Sequence, residues 1–289
     1  MAPATASSPR SSVRQRFLQT GPRGLSLCLC EWGPKSGRPL IILHGFLEQG
    51  AAWQTVAEQL GRRVIAPDHR GHGRSEHIGA GGFYHFWDYI PDVDAVVNNV
   101  SDGEPVDLVG HSMGGTMACL YAATRPDKVR RLGLIEGLGP PDMADQAVTR
   151  PRRFATAMQN LPSHALMESV AYAASRIRRF TPSMSEATSV RLAQRVTTPH
   201  DGGYIWSWDA LHRSPNPLPF SAERFAESTQ AIDCEVLHID GSDSIFRPPD
   251  LDERMKKVPH LTCDTLPGGH MLHHDVPGAL AERLTRFFE

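Results

Sequence analysis

The chain has 289 residues, of which 40% are apolar and 21% charged, a composition typical of a globular protein that can bury a core. Its 30 basic and 32 acidic side chains leave a net charge of -2, so no strong field favours nucleic acid or acidic lipid as a partner. The five cysteines include no CxxC pair, which argues against a disulfide framework and against a cysteine-based zinc site. The length suits one α/β catalytic unit with an insertion.

The start of the chain, residues 1–13, is rich in Ala, Ser and Pro and predicts a disordered segment. It contains no apolar run typical of a signal peptide, and no later stretch is apolar over the length that a membrane span needs. We therefore predict a cytoplasmic protein without a membrane span. The oligomeric state is left open by the sequence.

Short apolar runs alternate with helical patterns through the first half of the chain. The predicted strands are residues 16–20, 25–32, 39–43, 63–66, 106–109 and 132–135. The predicted helices are residues 51–60, 91–100 and 113–125. The turn residues of 21–24 join the first two strands as a hairpin, while the later strands are apolar on both faces and separated by helices. The predicted fold class is therefore α/β, doubly wound, with a mostly parallel sheet.

This alternation stops at residue 137. Residues 138–228 are rich in Ala, Arg, Met and Pro, and they suggest several short helices without a buried strand. We interpret them as an inserted α-helical cap, or lid, over a core made of residues 14–137 and 229–289. Strand patterns return at 235–239 and 261–266, and residues 279–288 have the spacing of a closing amphipathic helix.

The pattern Gly110-His111-Ser112-Met113-Gly114 directly follows a predicted strand and directly precedes a predicted helix. A serine in that place lies on a sharp turn, and the flanking glycines remove Cβ atoms that would block it. The following helix directs its first N–H groups toward the hydroxyl, which favours developing negative charge. These features predict Ser112 as a nucleophile and the Met113 N–H as an oxyanion donor.

These residues resemble the nucleophile elbow of the α/β-hydrolase fold family, and the resemblance covers the core on both sides of the cap. His44-Gly45-Phe46-Leu47 is similar to the HG loop of that family, which implies that the Phe46 N–H completes the oxyanion hole. Residues 68–75 are similar to the family's D-x-R-G-x-G-x-S loop. They lack the Lys-Ser/Thr ending of a nucleotide-binding loop, so no nucleotide is expected.

Gly269-His270, just before the last helix, resembles the late GH motif of the family and implies that His270 is the base. His273 and His274 are the neighbouring alternatives, and their context suggests surface or support roles. His270 would take the proton of Ser112 and later deliver it to the leaving group.

Two carboxylates compete for the third place in the triad. In most members of the family the acid follows the seventh strand as Gly-x-x-Asp, whereas Gly241-Ser242-Asp243-Ser244 puts Ser in that place and Asp243 one residue early. Glu136 ends the sixth strand, where the resemblance to haloalkane dehalogenases places a Glu acid. We favour Glu136, and Asp243 is the alternative acid.

A serine nucleophile implies acyl transfer. We predict a serine hydrolase that cleaves a carboxylic ester or thioester of a small to medium apolar acyl substrate through an acyl-enzyme, without cofactor or metal. The same triad also fits a carbon–carbon bond hydrolase, and a non-catalytic ligand-binding relative is the third possibility.

Apolar side chains of the cap, most of them aromatic or thioether, are expected in part to line an apolar pocket over Ser112. These residues are Phe154, Met158, Met167, Tyr172, Phe180, Trp206, Trp208 and Leu211. Three residues after the loop at 79–82 are expected at the site entrance, namely Phe83, Tyr84 and Trp87.

Overall fold

The computed structural model describes residues 13–21, 24–79, 81–182 and 184–289. The predicted disorder of residues 1–13 lies outside these ranges, apart from residue 13. No helix within the described ranges combines the length and the hydropathy that crossing a bilayer would require.

An eight-stranded sheet forms the centre of the fold. Its strands are β1 (Arg14–Gln19), β2 (Ser26–Trp32), β3 (Leu40–Leu43), β4 (Val64–Pro67), β5 (Val106–His111), β6 (Val129–Ile135), β9 (Glu235–Gly241) and β10 (Leu261–Leu266). They lie side by side in the order β1-β2-β4-β3-β5-β6-β9-β10. β1 pairs with β2 and β2 with β4 in antiparallel fashion, and all other neighbours are parallel. The mostly parallel sheet predicted from the sequence is confirmed.

Helices cover both faces of this sheet because successive strand residues point to opposite sides. The helices of the core are α1 (Gln54–Leu60), α2 (Tyr89–Val100), α3 (Met113–Thr124), α8 (Leu251–Met255), α9 (Leu272–Asp275) and α10 (Pro277–Phe288). Ile41 and Leu43 of β3 pack in the layer that holds α2 and α3, while Leu40 and Ile42 pack in the layer of α1 and α10. Burial of each such aliphatic side chain contributes about 1.5–3 kcal/mol to folding.

The segment between β6 and β9 carries the inserted elements. They are α4 (Thr149–Ala157), α5 (Val170–Phe180), α6 (Glu186–Val196), β7 (Thr197–His200), β8 (Gly203–Trp206) and α7 (Ala222–Thr229). Phe225 of α7 packs in the same layer as α2 and α3, so this helix rests on the core.

The antiparallel pair of β7 and β8 is a feature that the predicted helical cap did not include. Asp201 and Gly202 connect the two strands with φ values of 41° and 81°. Two consecutive positive φ values are typical of the tight turn that matches the twist of a hairpin, and Asp-Gly is a favoured sequence for it. The turn signal was present in the sequence, but the flanking strands are only partly buried and show no clear apolar alternation.

Candidate active site

Ser112 lies in the sharp turn between β5 and α3. Its backbone has φ 51° and ψ -117°, a conformation that residues other than glycine seldom adopt. The Ser112 N–H donates to the Ile135 carbonyl at 3.0 Å, and the N–H groups of Gly115 and Thr116 donate to the Ser112 carbonyl. No side chain can be accommodated at position 114, since a Cβ on Gly114 would overlap the carbonyl of Leu43. The surrounding backbone thus holds the strained turn in place.

The imidazole of His270 faces this serine. Its Nε2 lies 3.0 Å from the Ser112 Oγ, which is hydrogen-bond distance. Burial lowers the pKa of His270 below its ordinary value, and the hydrogen bond to Glu136 opposes this only in part. The ring is therefore mainly neutral at pH 7 and can accept a proton at Nε2.

Glu136 stands on the other side of the same ring. Its Oε2 lies 2.9 Å from the His270 Nδ1 and accepts a hydrogen bond from the Ser244 hydroxyl at 2.5 Å. Its Oε1 accepts from the Gly241 N–H at 2.6 Å. Burial alone would raise the pKa of Glu136, but these three hydrogen bonds outweigh it and leave the pKa below its ordinary value. The carboxylate is ionised and fixes the imidazole with a proton on Nδ1.

Asp243, the alternative acid, lies elsewhere. Its side chain is exposed and contacts the hydroxyl of its neighbour Ser242 at 3.1 Å. Its N–H donates to the Gly268 carbonyl. The structure therefore brings Glu136 to His270, whereas Asp243 makes no hydrogen bond to the imidazole among the described residues.

The two predicted oxyanion donors border the same cavity as Ser112. Met113 is the first residue of α3, where a helix has N–H groups without intrahelical acceptors. In the part of the chain that the structure describes, neither the Met113 N–H nor the Phe46 N–H donates a hydrogen bond. Both are available to an oxygen that develops negative charge above Ser112.

A cavity of about 710 Å³ opens over Ser112 and His270. Three of the predicted cap residues line it, namely Phe154, Phe180 and Leu211, and so do Phe83 and Tyr84. The remaining predicted cap residues and Trp87 are not among its lining residues. Sequence reasoning missed several that are, including Phe86, Met143, Phe246 and the cation Arg150. Local sequence patterns could not reveal them, since the path of the chain in space decides which residues face the cavity.

Glu48 is a second buried carboxylate, close to Ser112 and His270 in the fold. No motif in the sequence marked it as a candidate site residue. Glu48, His273 and His274 each have one potential metal-ligand atom within 4.8 Å of those of the other two. Imidazole and carboxylate groups at this spacing are suited to a transition metal ion. His273 is buried and donates from Nε2 to the Glu48 carboxylate at 2.9 Å. The support role suggested for His273 agrees with this contact.

Comparison with known proteins places the chain in a family. A sequence model described as alpha/beta hydrolase fold matches residues 38–277, and the chain belongs to that family. A serine hydrolase-like protein of Danio rerio is 26% identical over 273 residues, covering 89% of this chain and 83% of the relative. Serine hydrolase-like protein 2 of Homo sapiens is 25% identical and covers 89% of each chain.

Among solved structures, a thioesterase domain from the curacin biosynthetic pathway is 36% identical, with a TM-score of 0.85 over 95% of this chain and 99% of that domain. The protein is thus a serine-hydrolase-type enzyme of the α/β-hydrolase fold. The enzyme class predicted from the sequence is confirmed.

Proposed function

We propose that Ser112, His270 and Glu136 form a catalytic triad that hydrolyses a carboxylic ester or thioester through an acyl-enzyme. The observation that carries this proposal is the unbroken chain of contacts from Ser112 Oγ to His270 Nε2 and from His270 Nδ1 to Glu136, at 3.0 and 2.9 Å. This geometry is that of a nucleophile, a general base and a carboxylate that orients the base.

In the first half-reaction, the Ser112 oxygen attacks the carbonyl carbon while its proton moves to His270 Nε2. The N–H groups of Phe46 and Met113 stabilise the oxyanion that forms. The tetrahedral intermediate collapses, and His270 returns the proton to the departing alcohol or thiol. Glu136 stabilises the transient imidazolium without taking its proton.

In the second half-reaction, water replaces the departed group. His270 removes a proton from the water as its oxygen attacks the acyl carbon. The Ser112 oxygen then leaves and regains a proton from His270, which restores the starting state. Each turnover consumes one water molecule and releases an acid together with an alcohol or a thiol.

The lining of the cavity supports an apolar acyl group of small to medium size. Phenylalanine and proline are the most frequent residues in its wall, and its volume is within the range of small-molecule sites. The 36% identity to a thioesterase domain supports thioesters as one substrate class. Arg150 is a basic group in this wall, and acyl chains with an acidic substituent belong in the same screen.

The test combines covalent labelling with a substrate panel. A fluorophosphonate probe is expected to label the wild-type enzyme and not Ser112→Ala. Enzyme from the same preparation that has not been exposed to the probe is then assayed on p-nitrophenyl esters and on acyl thioesters of increasing chain length. A folded enzyme that is labelled but turns over neither class would contradict the proposal and favour carbon–carbon bond hydrolysis, whereas absence of labelling would favour a non-catalytic binding protein.

A further inference from the structure

The carboxylate of Glu48 lies next to the proposed triad without taking part in its proton transfers. Glu48 follows β3 within the loop that carries Phe46, and it is only 5% exposed. Removing a carboxylate from water is costly unless donors surround it. The hydrogen-bond donors around the Glu48 carboxylate therefore indicate its structural role.

Glu48 contacts the three segments that carry the nucleophile, the Phe46 oxyanion donor and the base. Its Oε1 accepts hydrogen bonds from His273 at 2.9 Å and from His274 at 3.3 Å, both on α9 just after the base. Its Oε2 accepts from the Gly45 N–H at 3.3 Å, in the loop that supplies an oxyanion donor. The same oxygen lies 3.4 Å from the Nδ1 of His111, the residue before the nucleophile.

His111 extends this connection to the base. Its Nε2 lies 2.9 Å from the backbone carbonyl of His270, while its Nδ1 faces the Glu48 carboxylate. Both neighbours are oxygen acceptors, so the ring lies between a carboxylate and a backbone carbonyl. Close packing restricts this ring further, since a Cβ on Gly45 would lie 2.7 Å from its Nδ1.

The proposal rests on the function proposed above. We propose that Glu48 is a positioning residue, whose buried carboxylate fixes the nucleophile, the oxyanion loop and the base relative to one another through His111, His273 and His274. The indole of Trp53 stacks on His273 at 4.3 Å with an interplanar angle of 5°, which limits movement of that ring. Displacement of a catalytic group by about 1 Å can reduce a rate by about 100-fold, so such fixation matters for turnover.

The charge state of the cluster agrees with this role. Burial would raise the pKa of Glu48, but the surrounding histidines outweigh it and hold the pKa well below its ordinary value. Burial lowers the pKa of His273 to about 3, so this ring donates to the carboxylate in its neutral form. The carboxylate therefore stays ionised and keeps its donors at neutral pH.

A metal ion is the competing occupant of the cluster. It would require lone pairs on the Nε2 atoms of His273 and His274, with their protons moved to Nδ1. The Nδ1 of His273 is buried and has no hydrogen-bond partner among the described residues, so it lacks the acceptor that usually supports a metal-bound histidine. This favours the hydrogen-bonded cluster.

The first test is Glu48→Gln, with Glu227→Gln on the exposed face of α7 as the matched control for loss of one charge. Competent sites are counted with the fluorophosphonate probe, and kinetic constants are expressed per labelled site. We expect kcat of Glu48→Gln to fall by about 10- to 100-fold with KM within about threefold of wild type, because transition-state geometry is lost and substrate binding is kept. Glu48→Asp should recover part of kcat, and the control should match wild type.

Two further measurements cover the case in which Glu48→Gln does not fold. His274→Gln removes one donor at the half-buried edge of the cluster, and we expect a smaller fall in kcat than for Glu48→Gln. In wild-type enzyme at pH 7, ¹⁵N-detected histidine spectra should show a neutral His273 with its proton on Nε2, the nitrogen that lies 2.9 Å from the Glu48 carboxylate. A His273 without a proton on Nε2, together with an unchanged kcat in His274→Gln, would overturn the proposal.

Other outcomes separate this inference from the proposed function. Wild-type activity with an unchanged kcat per site in Glu48→Gln overturns the positioning role alone, whereas a wild-type enzyme that neither labels nor turns over esters overturns the proposed function. Activity that disappears on treatment with EDTA and returns with Zn²⁺ would assign Glu48 to a metal site, and the positioning role would be wrong.

Discussion

Ser244 donates a hydrogen bond of 2.5 Å to Glu136, and its hydroxyl occupies the Gly-x-x-Asp position at which most α/β hydrolases carry the triad acid. The carboxylate therefore comes from the end of β6, and the turn after β9 contributes a hydroxyl that holds it. The Gly241 N–H from the same turn holds the second carboxylate oxygen. The end of β6 thus supplies the proposed acid, and the turn after β9 supplies two hydrogen-bond donors to it.

Replacing Glu136 tests this assignment most directly. In Glu136→Gln the amide can no longer stabilise the imidazolium of His270, and we expect kcat to fall by about 1,000- to 10,000-fold. Asp243→Asn, which alters an exposed carboxylate in the adjacent turn, is the matched control and should stay within about twofold of wild type. Steady-state kinetics on the best ester of the panel provide the measurement. The opposite ranking of the two variants would make Asp243 the acid.

Ser244→Ala should have an intermediate effect. It deletes one of the hydrogen bonds that lower the pKa of Glu136, so that pKa is expected to rise. Loss of a hydrogen bond to a charged group costs about 1.5–3 kcal/mol, measurable as a reduced free energy of unfolding. We expect kcat to fall by about 3- to 10-fold, since the carboxylate keeps its contact with His270 but is held less firmly. Ser244→Thr retains the hydroxyl and should preserve most activity.

The pH profile of kcat/KM should report the titration of His270. The base must be neutral to accept the proton of Ser112, and its pKa lies below the ordinary value. The rate should therefore be level at pH 7 and fall only as the pH decreases through that lowered pKa. Because Glu136 raises the pKa of His270, Glu136→Gln should move this acidic limb to still lower pH. A limb above pH 7 in wild type would contradict the burial of the imidazole.

Because the turn at Ser112 is strained, replacing this serine with glycine should abolish activity and stabilise the fold. A positive φ at a residue other than glycine costs about 1–3 kcal/mol, and glycine removes that cost. Ser112→Gly and Ser112→Ala both delete the nucleophile, but only the first relieves the backbone. In chemical denaturation, we expect the free energy of unfolding of Ser112→Gly to exceed that of Ser112→Ala by about 1 kcal/mol or more. Equal stabilities would show that the turn holds no strain.

The positions of the central strands and the turn that carries Ser112 could be predicted because each depends on a short local pattern. β5 is an apolar run that ends in the glycine-flanked serine, and its continuation through His111 extends the predicted strand by two residues. The acid was ambiguous because Glu136 and Asp243 follow neighbouring strands, and spacing alone does not show which side chain turns toward the base.

Other features depend on contacts between distant parts of the chain. Glu48 has no local pattern that marks it, since its partners His111 and His273 come from far along the sequence. The cavity wall is a second example, because Arg150 and Met143 reach it while Trp206 and Trp208 do not. The packing of the helices between β6 and β9 determines which of their residues face the cavity, and composition alone does not predict that packing.

β5 and β6 are paired residue by residue up to His111 and Ile135, so the nucleophile and the favoured acid emerge side by side from adjacent strands. Ser112 and Glu136 both have a positive φ, and both turn away from the sheet at the same level. The turn after β9 is thereby freed from supplying a carboxylate. In this arrangement the turn needs only to deliver hydrogen-bond donors to the glutamate, so the chemistry does not fix its length or its remaining side chains.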